Sequence, residues 1–311
     1  GDALREFILR DAVRRFLKGD GNTSEFTFEF NGQTLNNGRP GLPRSINFVD
    51  AHDGFTMFDL VSFTTKHNHQ PYPFGPSDGG ADENLSWDSG LDHRLRRTRW
   101  RNSWLVVFLA RGIPMVVSGD EYGRTQNGNN NPWDLNNVAL WNNWAQAGAN
   151  APTRVAVDPA NPGPVGPSYY DVVGRTDAPA RRNPLLVFAR YVAHLRRENP
   201  ALRQAPWGGL LGSNDTPYRF LRPDLQAPPA QGDRALAVAI EGSHAGGDDF
   251  LLLVNMWIEP VHFTLPELPC RDGVSRAWAL IVDTAPWAER HSNCWTPDKA
   301  FQLGSEGYAV Q

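Results

Sequence analysis

Hydrophobic positions in the first two thirds of the chain follow two alternating patterns. Apolar residues spaced three to four apart predict amphipathic helices, and short β-branched runs that end in turn residues predict buried strands. The predicted order is a helix over about 4–17, a strand over 46–49, a helix over about 57–66, a helix over about 91–111, a strand over 113–118 and a helix over 183–203. Helices that alternate with strands are typical of a parallel sheet.

The pattern changes beyond residue 205. Short apolar segments separated by Pro and Gly turns predict an antiparallel sheet, and they fall at 219–221, 235–241, 250–256, 261–265 and 277–283. We therefore predict two domains, residues 1–205 and residues 206–311. Within the first domain, the Gly-, Asn- and Pro-rich segments 19–43, 67–90 and 145–182 predict irregular structure. Long ordered loops such as 67–90 tend to be functional.

His52 and Asp53 follow the first predicted strand directly. In a (β/α)₈ barrel, the side chains that act on substrate project from the carboxyl ends of the strands, so this pair is a candidate for chemistry. A structural alternative has equal weight at this point, because Asp53 is also a preferred residue for capping a helix that begins near Phe55.

Composition excludes several classes of function. The net charge of −4 gives no basic surface, so we expect neither nucleic acid nor membrane as a partner. The 11 tryptophans weakly favour a carbohydrate ligand, because flat side chains stack on sugar rings. Two cysteines, Cys270 and Cys294, exclude a disulfide-rich scaffold and a four-cysteine zinc site; a single bridge between them would depend on the compartment. We expect no metal or cofactor in this chain.

Several segments resemble one family. Residues 47–56, NFVDAHDGFT, and residues 112–122, GIPMVVSGDEY, are similar to the strand-seven and strand-eight signatures of the isoamylase-type glycogen and starch debranching enzymes in the α-amylase superfamily. Further matches are NLSW at 84–87, RTQ at 124–126 and GNNN at 128–131. The loop QPYPFGPSDGG at 70–80 looks more like secreted bacterial isoamylases than plant or cytoplasmic enzymes, which favours a secreted or periplasmic protein over a cytoplasmic one.

The resemblance implies a fold and an activity. The fold is the C-terminal part of a (β/α)₈ TIM barrel, from about helix 6 through strands 7 and 8 and the last helix, followed by an antiparallel β-sandwich. The activity is retaining hydrolysis of α-1,6 branch linkages in glycogen and amylopectin, which needs two carboxyl groups about 5–5.5 Å apart. A third carboxylate, at the position of Asp53, stabilises the transition state, and the histidine at the position of His52 donates to hydroxyls of the same sugar.

The resemblance also suggests a set of substrate-binding residues. They are Phe55, Trp87, Arg124, Asn129, Asn130 and Trp133. Each has a structural alternative of about equal weight, since tryptophans pack loops and an asparagine run turns the chain. The acidic pair Asp120 and Glu121 resembles a pair that supports the barrel mouth and does not cleave bonds.

The chain departs from the family in one respect. The signatures that carry the nucleophile Asp, its neighbouring Arg and the general acid Glu are absent from the sequence. We therefore expect a boundary within a longer protein at residue 1 and an incomplete catalytic domain that is inactive alone. Its partner would be the missing N-terminal part, which would also hold any calcium. Two alternatives stay open: a related α-glucan enzyme, and a non-catalytic glucan-binding or regulatory subunit.

Overall fold

The computed structural model is a mixed α/β fold, described over residues 3–32, 46–136, 140–148, 183–203, 218–242, 247–271 and 273–311. The helices are α1 (Ala3–Lys18), α2 (Thr23–Phe30), α3 (His93–Leu109) and α4 (Pro184–Glu198). The strands are β1 (Ile46–Asn47), β2 (Ile113–Pro114), β3 (Tyr218–Leu221), β4 (Ala235–Ile240), β5 (Phe250–Asn255), β6 (Val261–Phe263), β7 (Ala279–Leu280), β8 (Phe301–Gln302) and β9 (Tyr308–Val310). The predicted irregular segment 145–182 and the predicted domain boundary at 206 lie mostly outside the described residues.

The two long helices α3 and α4 confirm the sequence prediction. Asp92 caps α3 by accepting hydrogen bonds from the first free backbone N–H groups, and Asn183 caps α4 in the same way. The apolar faces of the two helices meet in the core, where the rings of Trp100 and Phe188 lie 6.2 Å apart. The prediction for α4 ran to residue 203, and the last residues form a separate 3₁₀ turn, Pro200–Arg203.

Helix α2 was predicted as loop and is a correction. Asn22 accepts hydrogen bonds from the backbone N–H groups of Ser24 and Glu25, which starts a helix inside a Gly- and Asn-rich segment. Phe26 and Phe30, four residues apart, share the buried face, and the Phe26 ring stacks on Phe16 at 4.0 Å. A cap and ring contacts with α1 and β3 therefore decide a segment whose alternating phenylalanines do not indicate a helix.

The helix predicted over 57–66 is wrong. Only one 3₁₀ turn forms there, Asp59–Val61. The carbonyl of Leu60 accepts from Trp87 N–H (2.9 Å) and the carbonyl of Val61 accepts from Ser89 Oγ (2.7 Å). Because the following loop uses these acceptors, they are not available to continue a helix.

Strands β1 and β2 form the parallel pair that the alternating pattern predicts. Ile46 lies opposite Ile113, and Met115 N–H donates to the Asn47 carbonyl (2.8 Å), which extends the pairing. Both strands are shorter than predicted. The second was also expected to be buried, yet Ile113 and Met115 are 56% and 38% exposed.

The β-rich tail confirms the predicted antiparallel pairing. Strands β3, β4 and β5 form one sheet, β6 pairs with β9, and β7 pairs with β8. Alternate residues of β4 point to opposite faces. Leu236 and Val238 pack into the main core with the helices, whereas Ala237 packs against Phe263 of β6 on the other side. Strand β4 is therefore buried on both faces, and the last two strands were not predicted.

Contacts between the helices and the tail join the two predicted domains. Tyr218 of β3 donates its hydroxyl to the Leu109 carbonyl at the end of α3 (3.1 Å). Cys270 and Cys294 are free thiols. Among the described residues, no helix has the length and apolar character needed to cross a membrane.

Candidate active site

His52 and Asp53 lie on the turn after β1 and face solvent. Their side chains are 89% and 81% exposed, and His52 Nε2 lies 3.2 Å from Asp53 Oδ2. Backbone anchors hold the turn on both sides: Arg14 Nε donates to the Val49 carbonyl (2.6 Å), and Gly54 N–H donates to the Asn130 carbonyl (3.0 Å). Two accessible polar groups are thus presented on a fixed backbone at the carboxyl end of a parallel strand.

The structure removes the capping alternative for Asp53. No α-helix begins directly after this residue, and the first 3₁₀ turn that follows has Phe58 at its N-cap position, without a side-chain hydrogen bond. Asp53 therefore has no capping role.

Asp120, in the loop after β2, connects that loop to the segment that follows the His52–Asp53 turn. Its Oδ1 accepts from Met57 N–H (3.2 Å) and its Oδ2 accepts from Val117 N–H (2.9 Å), so one buried carboxylate ties both loops together. Glu121 accepts instead from the Gly119 N–H (2.8 Å). Burial raises the pKa of Asp120 to about 6, although hydrogen bonds to the carboxylate oppose the shift.

Asn129 and Asn130 hold the long loop in place. Asn129 Nδ2 donates to the Phe74 carbonyl (2.6 Å), Asn130 Nδ2 donates to Asn84 Oδ1 (3.0 Å), and Asn130 Oδ1 accepts from Asn68 Nδ2 (2.9 Å). Both asparagines are fully buried. In place of the predicted sugar contact, the structure gives their side chains the alternative role of fixing the backbone of two loops.

Other predicted sugar contacts also lie within the protein. Phe55 and Trp87 belong to the main core, where the guanidinium carbon of Arg99 lies 5.6 Å from the centre of the Trp87 ring. Arg124 is half-buried and donates to the Leu140 carbonyl (2.7 Å). Phe55 and Trp87 are too buried to stack on a sugar, whereas part of the Arg124 side chain stays accessible.

Trp133 is 74% exposed, and its ring is open to a ligand. Two further tryptophans of the same region, Trp141 and Trp144, are each 59% exposed, and the sequence analysis missed them. The sequence could have indicated them, because the segment WNNW at 141–144 places two tryptophans beside polar residues and outside any apolar pattern. No group of His, Cys, Asp and Glu side chains with metal-binding geometry occurs in the described part of the chain.

Sequence comparison finds similarity to isoamylases and to a glycogen debranching enzyme. The chain is 34% identical to an isoamylase of Flavobacterium sp over 279 residues, 86% of this chain and 31% of that protein. It is 30% identical to the isoamylase of Pseudomonas amyloderamosa over 85% of this chain and 30% of the relative. By sequence, the chain is similar to part of the isoamylase-type debranching enzymes. A glycogen debranching enzyme of Serratia proteamaculans is also 30% identical, over 93% of this chain and 37% of that protein. No protein-family model matches.

The isoamylase-type relatives are longer than this chain, which spans about a third of their length. Solved structures agree at the level of fold. Pullulanase type I from Bacillus subtilis str. 168 matches 97% of this chain with a TM-score of 0.55 and 16% identity, over 33% of its own length. Pullulanase from Bacillus acidopullulyticus matches 96% of this chain with a TM-score of 0.53 and 16% identity, over 28% of its own length.

Proposed function

We propose that this chain is part of an enzyme that hydrolyses α-1,6 branch linkages in glycogen, amylopectin and related dextrins. The observation that carries the proposal is the exposed His52–Asp53 pair on an anchored turn at the carboxyl end of a parallel strand. In this proposal β1 and β2 are strands seven and eight of a (β/α)₈ barrel, whose substrate-facing side chains project from these strand ends.

In the proposed reaction, Asp53 stabilises charge. Hydrolysis with retention passes through an oxocarbenium-like transition state. Two other carboxyl groups take part in the reaction, one as the nucleophile and one as the general acid. The Asp53 carboxylate accepts hydrogen bonds from sugar hydroxyls, and these strengthen as positive charge develops on the ring. His52 donates to a hydroxyl of the same sugar, and Trp133 offers an apolar ring for stacking.

The nucleophile and the general acid come from residues outside this chain. The sequence contains no matching signature. Asp120 is buried and Glu121 is half-buried, and each carboxylate accepts a backbone hydrogen bond from its own loop. We therefore propose that residues 1–311 alone bind no substrate productively and that the complete protein is needed for turnover.

Product analysis tests the proposal. The complete protein, incubated with amylopectin and with amylose, is expected to release linear chains from amylopectin and to leave amylose intact, with the α-anomer formed first in proton NMR. The 311-residue chain alone is expected to release nothing. Shortened amylose would favour a different α-glucan enzyme, and glycogen binding without hydrolysis by the complete protein would favour a glucan-binding subunit.

A further inference from the structure

Asp50 is a buried carboxyl group without a hydrogen-bond donor. It follows Val49 at the end of the β1 segment, three residues before Asp53, and it is 0% exposed. No N–H or hydroxyl donor within the described part of the chain makes a hydrogen bond to either of its side-chain oxygens. An ionised carboxylate in that setting is strongly disfavoured, because burial removes its hydration and no N–H group replaces the lost water.

The neighbour of Asp50 is another buried carboxyl group, Asp120, and the two differ in the hydrogen bonds that they accept. Asp120 accepts two backbone hydrogen bonds, from Met57 and Val117. The Met57 N–H also favours the charged form of Asp50, but it makes its hydrogen bond to Asp120. Two adjacent carboxylates cannot both ionise at low cost, so one of them keeps its proton. Because N–H donors stabilise the charged form, Asp120 is the partner that ionises.

We propose that Asp50 and Asp120 hold one proton between them, with Asp50 protonated and Asp120 ionised. The Asp50 hydroxyl donates a hydrogen bond to the Asp120 carboxylate, and this hydrogen bond positions the turn of His52 and Asp53. Asp50 and Asp120 are therefore positioning residues and not catalytic ones. Their connection joins the backbone just before the turn to Asp120, which in turn holds Met57 on the other side of it. The role in turnover rests on the function proposed above, whereas the shared proton does not.

The surrounding charges are consistent with a single ionised carboxylate. Arg14 of α1 and Arg124 of the loop after β2 are the cations that act on the pair, and Arg10 and Asp11 act on Arg14. Arg14 donates to the carbonyls of Val49 and Asn84 and makes no hydrogen bond to Asp50. Burial, followed by the charge of Asp120, raises the pKa of Asp50 well above its usual range despite Arg14.

This arrangement predicts a direction for the pH dependence of stability. A carboxyl group with a raised pKa in the folded state contributes stability that is fully present below its unfolded value of about 3.9 and is lost as pH rises through the folded value. The wild-type protein should therefore lose stability between pH about 4 and the folded pKa of Asp50, as the unfolded chain releases a proton that the folded chain retains.

Two amide variants separate the partners in urea unfolding measured from pH 5 to pH 9. Asp50→Asn can still donate a hydrogen bond to Asp120, so we expect a urea midpoint at least equal to wild type at pH 8 and a flatter pH dependence. Asp120→Asn offers one acceptor oxygen to two N–H donors, so its midpoint should fall at every pH. Glu259→Gln, an exposed carboxyl group in the β-rich tail, is the matched control.

Infrared difference spectroscopy provides a second readout. The folded wild type at pH 7 should show the carbonyl stretch of a protonated carboxyl group, and Asp50→Asn should remove it. If Asp50 is instead ionised beside Arg14, Asp50→Asn will lower the urea midpoint. It will leave the pH dependence of stability and the infrared band of protonated carboxyl groups unchanged, and that result overturns the proposal.

Kinetics of the complete protein test the positioning role. Asp50→Asn should keep its kcat to higher pH than wild type, with KM unchanged, because its hydrogen bond does not ionise. If kcat of wild type and of Asp50→Asn falls at the same alkaline pH, the positioning role is overturned. If the complete protein cleaves no glucan, the proposed function and with it the positioning role fail, while unfolding and infrared data still decide the shared proton.

Discussion

Asp53→Asn is expected to lower the debranching kcat of the complete protein by about 10²–10³-fold, with KM close to wild type. Loss of one preorganised group that acts on developing charge has an effect of this size. The fold should be unaffected, because the side chain is 81% exposed and surface substitutions stay within about 0.5 kcal/mol. Steady-state kinetics on amylopectin and urea unfolding of the same preparation measure both effects.

Glu259→Gln is the matched control for this variant, since it removes one exposed carboxylate far along the chain in the turn between β5 and β6. It should leave kcat and stability unchanged. If Asp53→Asn and Glu259→Gln have the same kcat, Asp53 has no part in the reaction. If Asp53→Asn unfolds the protein, its role is structural.

Glu289→Ala is expected to destabilise the fold by about 3–5 kcal/mol. Glu289 lies in a 3₁₀ turn of the tail, 2% exposed, and Arg97 of α3 binds it through two hydrogen bonds of 2.7 Å. Arg101 adds a third at 2.8 Å. Removing the carboxylate leaves two buried guanidinium groups without their counter-charge, which is the costly way to break a buried ion pair. Urea unfolding at pH 7 measures the loss.

Glu241→Gln provides the comparison, because Glu241 pairs with Arg219 at 3.0 Å on the surface. Exposed pairs contribute about 0–1 kcal/mol, so this variant should lose far less. Equal losses in Glu289→Ala and Glu241→Gln would mean that the buried cluster does not join the helices to the tail.

The same cluster predicts sensitivity to acid. Burial alone would raise the pKa of Glu289, but the hydrogen bonds and charges of Arg97 and Arg101 outweigh it and lower the pKa. Its contribution is therefore present above the unfolded value of about 4.3 and is lost as pH falls through the folded value. This is opposite in sign to the dependence expected from Asp50.

Local patterns predicted the elements whose stability comes from their own residues. Helix α4 has a cap, a proline at its start and an apolar face in one short segment, and β4 has alternating residues that fill two cores. Helix α2 needed the ring of Phe16 from α1, which lies outside its own segment. The failed helix over 57–66 shows the reverse, since residues Trp87 and Ser89 capture carbonyls of that segment from far along the chain.

In the candidate site, too, the sequence identified some residues correctly and could not assign others, whose contacts come from distant segments. Motif resemblance selected His52, Asp53 and Trp133, which the structure places in solvent. It could not distinguish Asn129 and Asn130 from sugar ligands, because their partners lie in a loop about 50 residues earlier and only the folded chain reveals them. The Asp50 and Asp120 pair escaped for the same reason, since burial and missing donors are not visible in a sequence.

A crystal structure of the complete Asp53→Asn protein with a branched oligosaccharide tests the central claim most directly, because the slow variant preserves its substrate. We expect the side chain at position 53 within about 2.6–3.0 Å of a hydroxyl of the glucose at the branch point. A branch-point glucose bound elsewhere, with position 53 still in solvent, would contradict the assignment of this turn to the active site.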